Sequence, residues 1–162
     1  MYAQCHHGIW NLLEGHKLHT VYRALLEKRF PLEIIWEGTR PGRGRADFIL
    51  SDVQAGAVGT IEAKDLRDLG RGDGRLRPVL HDIDKMRLAA WPPGSEVRKF
   101  CLVFWHASSE ETVQTGTREF ERLPVHFHSE WQRTFPTRRY LRRDRCQQHG
   151  MFCVTLLEVA NP

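Results

Sequence analysis

The sequence predicts an α/β domain with a mixed central sheet. Helical stripes of apolar residues alternate with short apolar strands, and the chain contains neither an internal repeat nor a domain linker. Its 162 residues, 41% hydrophobic and 27% charged, suit one folded domain. We therefore expect a single domain over residues 1–162, with a core at about 9–106 and a variable C-terminal part at 107–162.

The first half of the chain begins with a helical pattern and continues with strands. Apolar residues recur at spacings of three and four over 9–29, which predicts a helix that ends at Phe30-Pro31. Three short apolar runs predict strands at 32–37, 46–50 and 57–63. The polar connection between the second and third runs indicates a hairpin.

A second helix and further strands follow a glycine- and charge-rich loop at 65–77. Pro78 opens the helix, and Trp91-Pro92-Pro93-Gly94 stops it. The run 98–106 is the most apolar strand, and we expect it to be central. Beyond it the pattern predicts a helix over 108–123, a short strand at 125–128 and a last strand at 151–159.

Charge and apolar content limit the classes of function. There are 24 Lys and Arg against 20 Asp and Glu, a net charge of +4. Nineteen of the basic residues are arginines, which suit forked phosphate contacts, although genomic base composition produces the same bias. No apolar run approaches the ~20 residues of a membrane span, and the start MYAQCHHGIW lacks the pattern of a secretory signal. We expect a cytoplasmic protein that does not bind membranes.

The four cysteines fit reduced thiols better than disulfides or zinc. They include no CxxC pair. Cys146, His149 and Cys153 are spaced C-x2-H-x3-C, but zinc sites usually show tighter paired spacings. Cys101 and Cys153 lie in apolar strands, where burial in the core is the better interpretation.

The candidate chemistry lies in the predicted hairpin. Glu62 and Lys64 alternate on one face of a strand, and the hairpin brings Asp47 of the preceding strand beside Glu62. Two adjacent carboxylates repel unless they share a cation, and oxygen ligands suit Mg²⁺ or Mn²⁺. The alternative is an accidental Glu-x-Lys pair on a solvated strand edge of some other α/β protein.

These residues resemble the signature of the PD-(D/E)XK nuclease superfamily, which has the restriction-endonuclease-like fold. The motif residues are Asp47 in Arg-Ala-Asp-Phe-Ile-Leu and Glu62 and Lys64 in Ile-Glu-Ala-Lys, and Ala46 stands where the family motif has Pro. The predicted order of helix, three strands, helix and strand is similar to the family's three-layer core. The resemblance covers about residues 9–106.

The resemblance implies a set of metal-binding and catalytic residues. Asp47 and Glu62 would bind Mg²⁺ or Mn²⁺ with the backbone carbonyl of Ala63, and Lys64 would act on the attacking water. Many members add an acidic residue from the first helix. Glu14 falls on the buried stripe of that helix and is the candidate, although a carboxylate there also favours the helix dipole.

Basic residues flank these positions along the chain. Arg43 and Arg45 precede Asp47, Arg67 follows Lys64, and Lys85 lies on the second helix, which faces nucleic acid in many members. We take these four as candidate nucleic-acid contacts, with a solvated charged face as the equal alternative for Lys85. A third cluster, Arg138, Arg139, Arg142, Arg143 and Arg145, is either a nucleic-acid contact or solvated surface.

The function that these expectations predict is divalent-metal-dependent hydrolysis of phosphodiester bonds. The expected partner is nucleic acid, with DNA favoured over RNA, cut by an endonuclease. The alternative is a nucleic-acid-binding or assembly subunit that keeps the fold but does not cut. The small size makes a homodimer or a larger protein complex plausible.

Overall fold

A computed structural model describes His19, Arg23 and residues 33–36, 46–52, 54, 56–66, 76–89, 91, 94–141 and 146–160. Within the described ranges from Glu33 onwards it contains seven strands and two α-helices. The elements are β1 (Glu33–Trp36), β2 (Phe48–Asp52), β3 (Gly56–Leu66), α1 (Arg77–Leu88), β4 (Arg98–Ala107), α2 (Glu110–Glu121), β5 (His126–Phe127), β6 (Arg133–Leu141) and β7 (Cys146–Val159).

The strands form one open, mixed sheet in the order β1-β2-β3-β4-β7-β5, and β6 also pairs with β7. Among these strands only β3 and β4 run parallel, and α1 makes the crossover between them. β4 lies between β3 and β7, which confirms that the most apolar strand is central. The chain therefore has the predicted α/β class with a mixed sheet.

Both helices pack against one face of the sheet. Val79, Ile83 and Met86 of α1 are fully buried because the spacing of four and three residues puts them on one side of the helix. They meet the side chains of β4 that point to the same face, among them the buried Trp105. The Trp105 indole N–H donates to Thr155 Oγ1 of β7 at 2.9 Å, so its polar atom is satisfied within the core.

Helix α2 begins where its sequence indicates and ends at Glu121, two residues before the predicted end at Leu123. Ser109 is the N-cap, and its hydroxyl oxygen accepts a hydrogen bond from the backbone N–H of Thr112 at 3.2 Å. Glu110 and Glu111 occupy the first turn, where negative charge offsets the helix dipole. Phe120 is fully buried, with its ring centroid 5.7 Å from that of Trp105. This contact fixes α2 over β4.

Two predictions need correction, and one strand was not predicted. The sequence analysis assigned no element to 131–145, and 133–141 form strand β6, whose three arginines and one proline hide the alternation of a strand. Strand β7 starts at Cys146 rather than Met151. Asp65 and Leu66 belong to β3, and Leu66 and Leu76 are buried, so the exposed loop expected at 65–77 is shorter.

The predicted first helix lies mostly outside the described residues. His19 and Arg23 have helical backbone and exposed side chains, and nothing else of 9–29 is described. Within the described part of the chain, no helix combines the length and the apolar character that membrane crossing demands.

Candidate active site

The β2–β3 hairpin positions the first candidate residue. Gly56 adopts a φ of 76°, a left-handed conformation that glycine takes without strain, and it starts β3 opposite Asp52. The antiparallel register pairs Phe48 with Ile61 and therefore sets Asp47 beside Glu62. Asp47 Oδ2 accepts a hydrogen bond from the Ala63 backbone N–H at 2.7 Å. The carboxylate of Asp47 thus replaces a backbone acceptor where the β2 ladder ends.

This hydrogen bond also orients the Ala63 carbonyl. The N–H and C=O of one strand residue point to the same neighbouring strand. Since the Ala63 N–H points to Asp47, its C=O faces the same side of β3, beyond the last β2 partner. The Asp47 carboxylate and the Ala63 carbonyl therefore share one side of the strand.

Glu62 and Lys64 occupy the face of β3 that the helices cover. They alternate with Ile61 and Ala63, and they share their face with Leu66, which packs in the core beneath α1. Glu62 is only 5% exposed, a degree of burial that is rare for a carboxylate. The side chain of Lys64 retains 28% exposure. Lys64 is therefore reachable from solvent, while Glu62 lies deeper.

Asp82 of α1 is a further candidate site residue, which the sequence alone did not identify. Its Oδ2 lies 2.9 Å from Lys64 Nζ, and its Oδ1 accepts a hydrogen bond from Lys85 Nζ at 3.2 Å. The Asp82 side chain is only 2% exposed. It sits on the buried stripe between Val79 and Met86, and a charged residue at such a position is the signal that would have found it.

The pKa of the Cys101 thiol depends on the charges of this cluster. Cys101 of β4 is the backbone partner of Glu62 and is fully buried. Burial raises the pKa of Cys101, and the negative charges of Asp82, Glu62 and Asp47 raise it further, while Lys64 opposes them. All four charged groups therefore lie close enough to the Cys101 thiol to influence its ionisation.

The donor set fits a hard divalent cation. Asp47 and Glu62 offer carboxylate oxygens, and the Ala63 carbonyl adds a neutral oxygen, which is the chemistry that Mg²⁺ and Mn²⁺ favour over zinc. Within the described ranges no three His, Cys, Asp or Glu side chains are grouped as a metal site. Two carboxylates and one carbonyl are what these residues provide, and Glu14 lies outside the described residues.

Of the four candidate nucleic-acid contacts Arg43, Arg45, Arg67 and Lys85, only Lys85 is described. Its side chain is 44% exposed, and its ammonium forms an ion pair with Asp82. Arg43, Arg45 and Arg67 lie outside the described residues. Of the side chains in the C-x2-H-x3-C pattern only that of Cys153 is described, and it is fully buried as predicted, as is Cys101.

Similarity to known proteins does not assign this site. No protein-family model matches the chain, and no curated protein matches it at a significant level. The chemistry of the site therefore rests on its own residues.

Proposed function

We propose that this protein is a divalent-metal-dependent nuclease with a restriction-endonuclease-like core, acting on phosphodiester bonds of DNA in the cytoplasm. One observation carries the proposal. The 2.7 Å hydrogen bond from Ala63 to Asp47 brings two carboxylates and a carbonyl to one end of a hairpin whose next residue is Lys64. The described strand order β1, β2 and β3, then α1 and β4, supports the core assignment.

Each residue has a chemical task in this proposal. Asp47, Glu62 and the Ala63 carbonyl hold Mg²⁺ or Mn²⁺, which when bound supplies Lewis-acid assistance and neutralises charge at the phosphate. The Glu62 side chain is almost completely buried, so solvent screens its charge little at short range. Lys64 presents its ammonium to the attacking water and to a phosphate oxygen.

Asp82 is the positioning residue of this arrangement. A lysine side chain has four rotatable bonds and loses conformational entropy when it is held in one place. The buried carboxylate of Asp82, 2.9 Å from Lys64 Nζ, restricts that freedom before substrate arrives. Because Asp82 also holds Lys85, one carboxylate aligns two ammonium groups along the side of the site. That row of positive charge suits a polyanion.

The test is cleavage by site variants. Glu62→Ala and Lys64→Ala should each lower Mg²⁺-dependent cleavage of plasmid and linear DNA by at least about 1000-fold, since each removes a group that acts on the reacting phosphate. Asp65→Ala, in the next position of the same strand, is the control and should cut normally. Undiminished cleavage by either site variant would exclude the proposed mechanism.

A second measurement separates the nuclease from a subunit that does not cut. Isothermal titration of Mg²⁺ and Mn²⁺ should show binding at millimolar or lower concentration, and Asp47→Ala/Glu62→Ala should abolish that binding. DNA binding by the wild-type protein without metal binding would instead favour the non-cutting alternative. Sedimentation with and without DNA would report the proposed homodimer or larger complex.

A further inference from the structure

A two-stranded ribbon extends from the sheet at the end where the candidate site lies. The last backbone pair between β4 and β7 is Ala107 with Met151. Beyond it, residues 146–150 of β7 pair only with 137–141 of β6, over five register positions. Five residues of strand span about 17 Å. We call this part of β6 and β7 the arm.

The sequence stretch 133–150, which includes the arm and its base, carries the entire net positive charge of the protein. Residues 133–150 include six arginines and one aspartate, a formal charge of +5. Because the whole chain has a charge of +4, all other residues sum to −1. Arg138 and Arg139 stand at described register positions, opposite His149 and Gln148. A charge imbalance of this size attracts a polyanion.

The base of the arm is open to solvent. Side chains 133–136 at the start of β6 are exposed, and Phe135 is 50% exposed. Arg133 donates through Nη1 to the carbonyl oxygen of the neighbouring Gln132 at 2.9 Å. β6 pairs only with β7 among the described strands, so its other edge has no strand partner there. A ligand can therefore reach the exposed side chains at the base of the arm.

The arm lies within reach of a duplex bound at the candidate site. Lys64 is level with Val103 and Thr155 across the sheet. From Thr155 to Gln148 the strand rises about 23 Å, and the three strand spacings from β3 through β4 and β7 to β6 add about 14 Å across the sheet, which together give about 27 Å to the position of Arg139. One turn of B-DNA measures about 34–36 Å. A scissile phosphate near Lys64 and a contact at the arm therefore fit within one turn.

We propose that the arm binds duplex DNA, with Arg138 and Arg139 contacting phosphates or the major groove. The major groove of B-DNA is about 12 Å wide and admits a two-stranded ribbon, whereas the deep, narrow major groove of duplex RNA does not. The proposal rests on the proposed nuclease function for the identity of the polyanion, and it assigns double-stranded DNA as the substrate class.

The test measures how DNA affinity depends on salt. Fluorescence anisotropy with a 30-base-pair DNA duplex in EDTA reports binding without cleavage. Arg138→Gln/Arg139→Gln should reduce the slope of log K against log salt concentration by about 2, one unit for each arginine that no longer neutralises a phosphate. The matched control, Arg118→Gln/Arg122→Gln at the C-terminal end of α2, removes the same charge and should change the slope by less than about 0.5.

A charge-preserving variant guards against misfolding. Arg138→Lys/Arg139→Lys should keep the wild-type slope, and circular dichroism should show equal strand content in all variants. Equal slopes for the wild type and the Gln variant would overturn the proposal. So would equal binding to duplex RNA, or arm-dependent binding to phosphatidylserine vesicles in place of DNA.

The outcome is separable from that of the nuclease proposal. Arm-dependent DNA binding with no cleavage in Mg²⁺ would support DNA binding by the arm and refute the nuclease proposal. Cleavage with an unchanged KM in the Gln variant would support the nuclease proposal and refute DNA binding by the arm. An arm whose arginines only prevent edge-to-edge pairing would show as aggregation of the Gln variant with unchanged DNA affinity, which also refutes the proposal.

Discussion

Substitution of Asp82 by Asn isolates the contribution of one buried carboxylate to both stability and catalysis. Asn keeps the volume of Asp and removes its charge, so the packing of α1 against the sheet is preserved. In the wild type the carboxylate is 2% exposed and lies within ion-pair distance of Lys64 and Lys85, at 2.9 and 3.2 Å. The substitution leaves both ammonium groups without their common partner.

The expected loss of stability follows from the exposure of the three side chains. Breaking a fully buried ion pair costs about 3–5 kcal/mol, and an exposed pair contributes about 0–1 kcal/mol. Asp82 is buried, but Lys64 and Lys85 are 28% and 44% exposed and recover part of their hydration. We expect the free energy of unfolding to fall by about 2 kcal/mol, which corresponds to roughly 4–8 °C in Tm.

In the proposed nuclease, the effect of Asp82→Asn on cleavage should appear in kcat. Groups that orient the residues of a metal site typically contribute about 10–100-fold to activity. Asp82 is buried and touches Lys64 rather than DNA, so kcat should fall by about that factor while KM changes little. Urea unfolding followed by circular dichroism gives the stability, and cleavage at a temperature where the variant is fully folded gives kcat and KM.

The control is Asp84→Asn, an identical charge change on the exposed side of the same helix. It should change the free energy of unfolding by less than about 0.5 kcal/mol and leave kcat unaltered. If Asp82→Asn matches this control in both measurements, the positioning role of Asp82 is refuted. A loss of stability without a loss of kcat would reduce Asp82 to a structural residue.

Two further predictions concern buried groups on the same face of the sheet. Burial lowers the pKa of Lys99 from its ordinary value of 10.5, so between the lowered pKa and 10.5 the unfolded chain binds more protons, and stability rises with pH. Lys99→Met should abolish that rise and stabilise the protein at pH 7, as urea unfolding across pH would show; an unchanged pH dependence would contradict it. Burial and nearby carboxylates raise the pKa of Cys101, so iodoacetamide should alkylate it at least roughly tenfold more slowly in the native protein than in urea. Mass spectrometry of the Cys101 peptide measures this, and equal rates would refute it.

The strands and helices with regular spacing were predictable from the sequence, because their signals are local. The stripe of Val79, Ile83 and Met86 and the apolar run of β4 each depend on a few neighbouring residues. The hairpin that pairs Phe48 with Ile61 was predicted for the same reason, since its strands are joined by a short polar connection. Strand β6 was not, because its proline and arginines carry no clear alternation.

The same difference between local and long-range signals decides which candidate site residues could be predicted. Asp47, Glu62 and Lys64 were found in the sequence because one hairpin carries all three. Asp82 was not identified as their partner, since its contact with Lys64 depends on how α1 packs and rotates over β3, and packing is a property of the whole core. The exposed fractions of the Glu62 and Lys64 side chains likewise could not be predicted from the sequence.

The sequence by itself determined the α/β class, the order of most elements and the motif residues, since periodicity and turn chemistry act over a few residues. Only the tertiary structure decided that β7 pairs antiparallel with β4 along most of its length, which carries the arginine-rich arm beyond the end of the sheet where Lys64 lies. Pairing between segments about 50 residues apart is selected by the burial of both faces at once, and no local pattern encodes it. The arginines were visible in the sequence, and their position relative to the site came from that pairing.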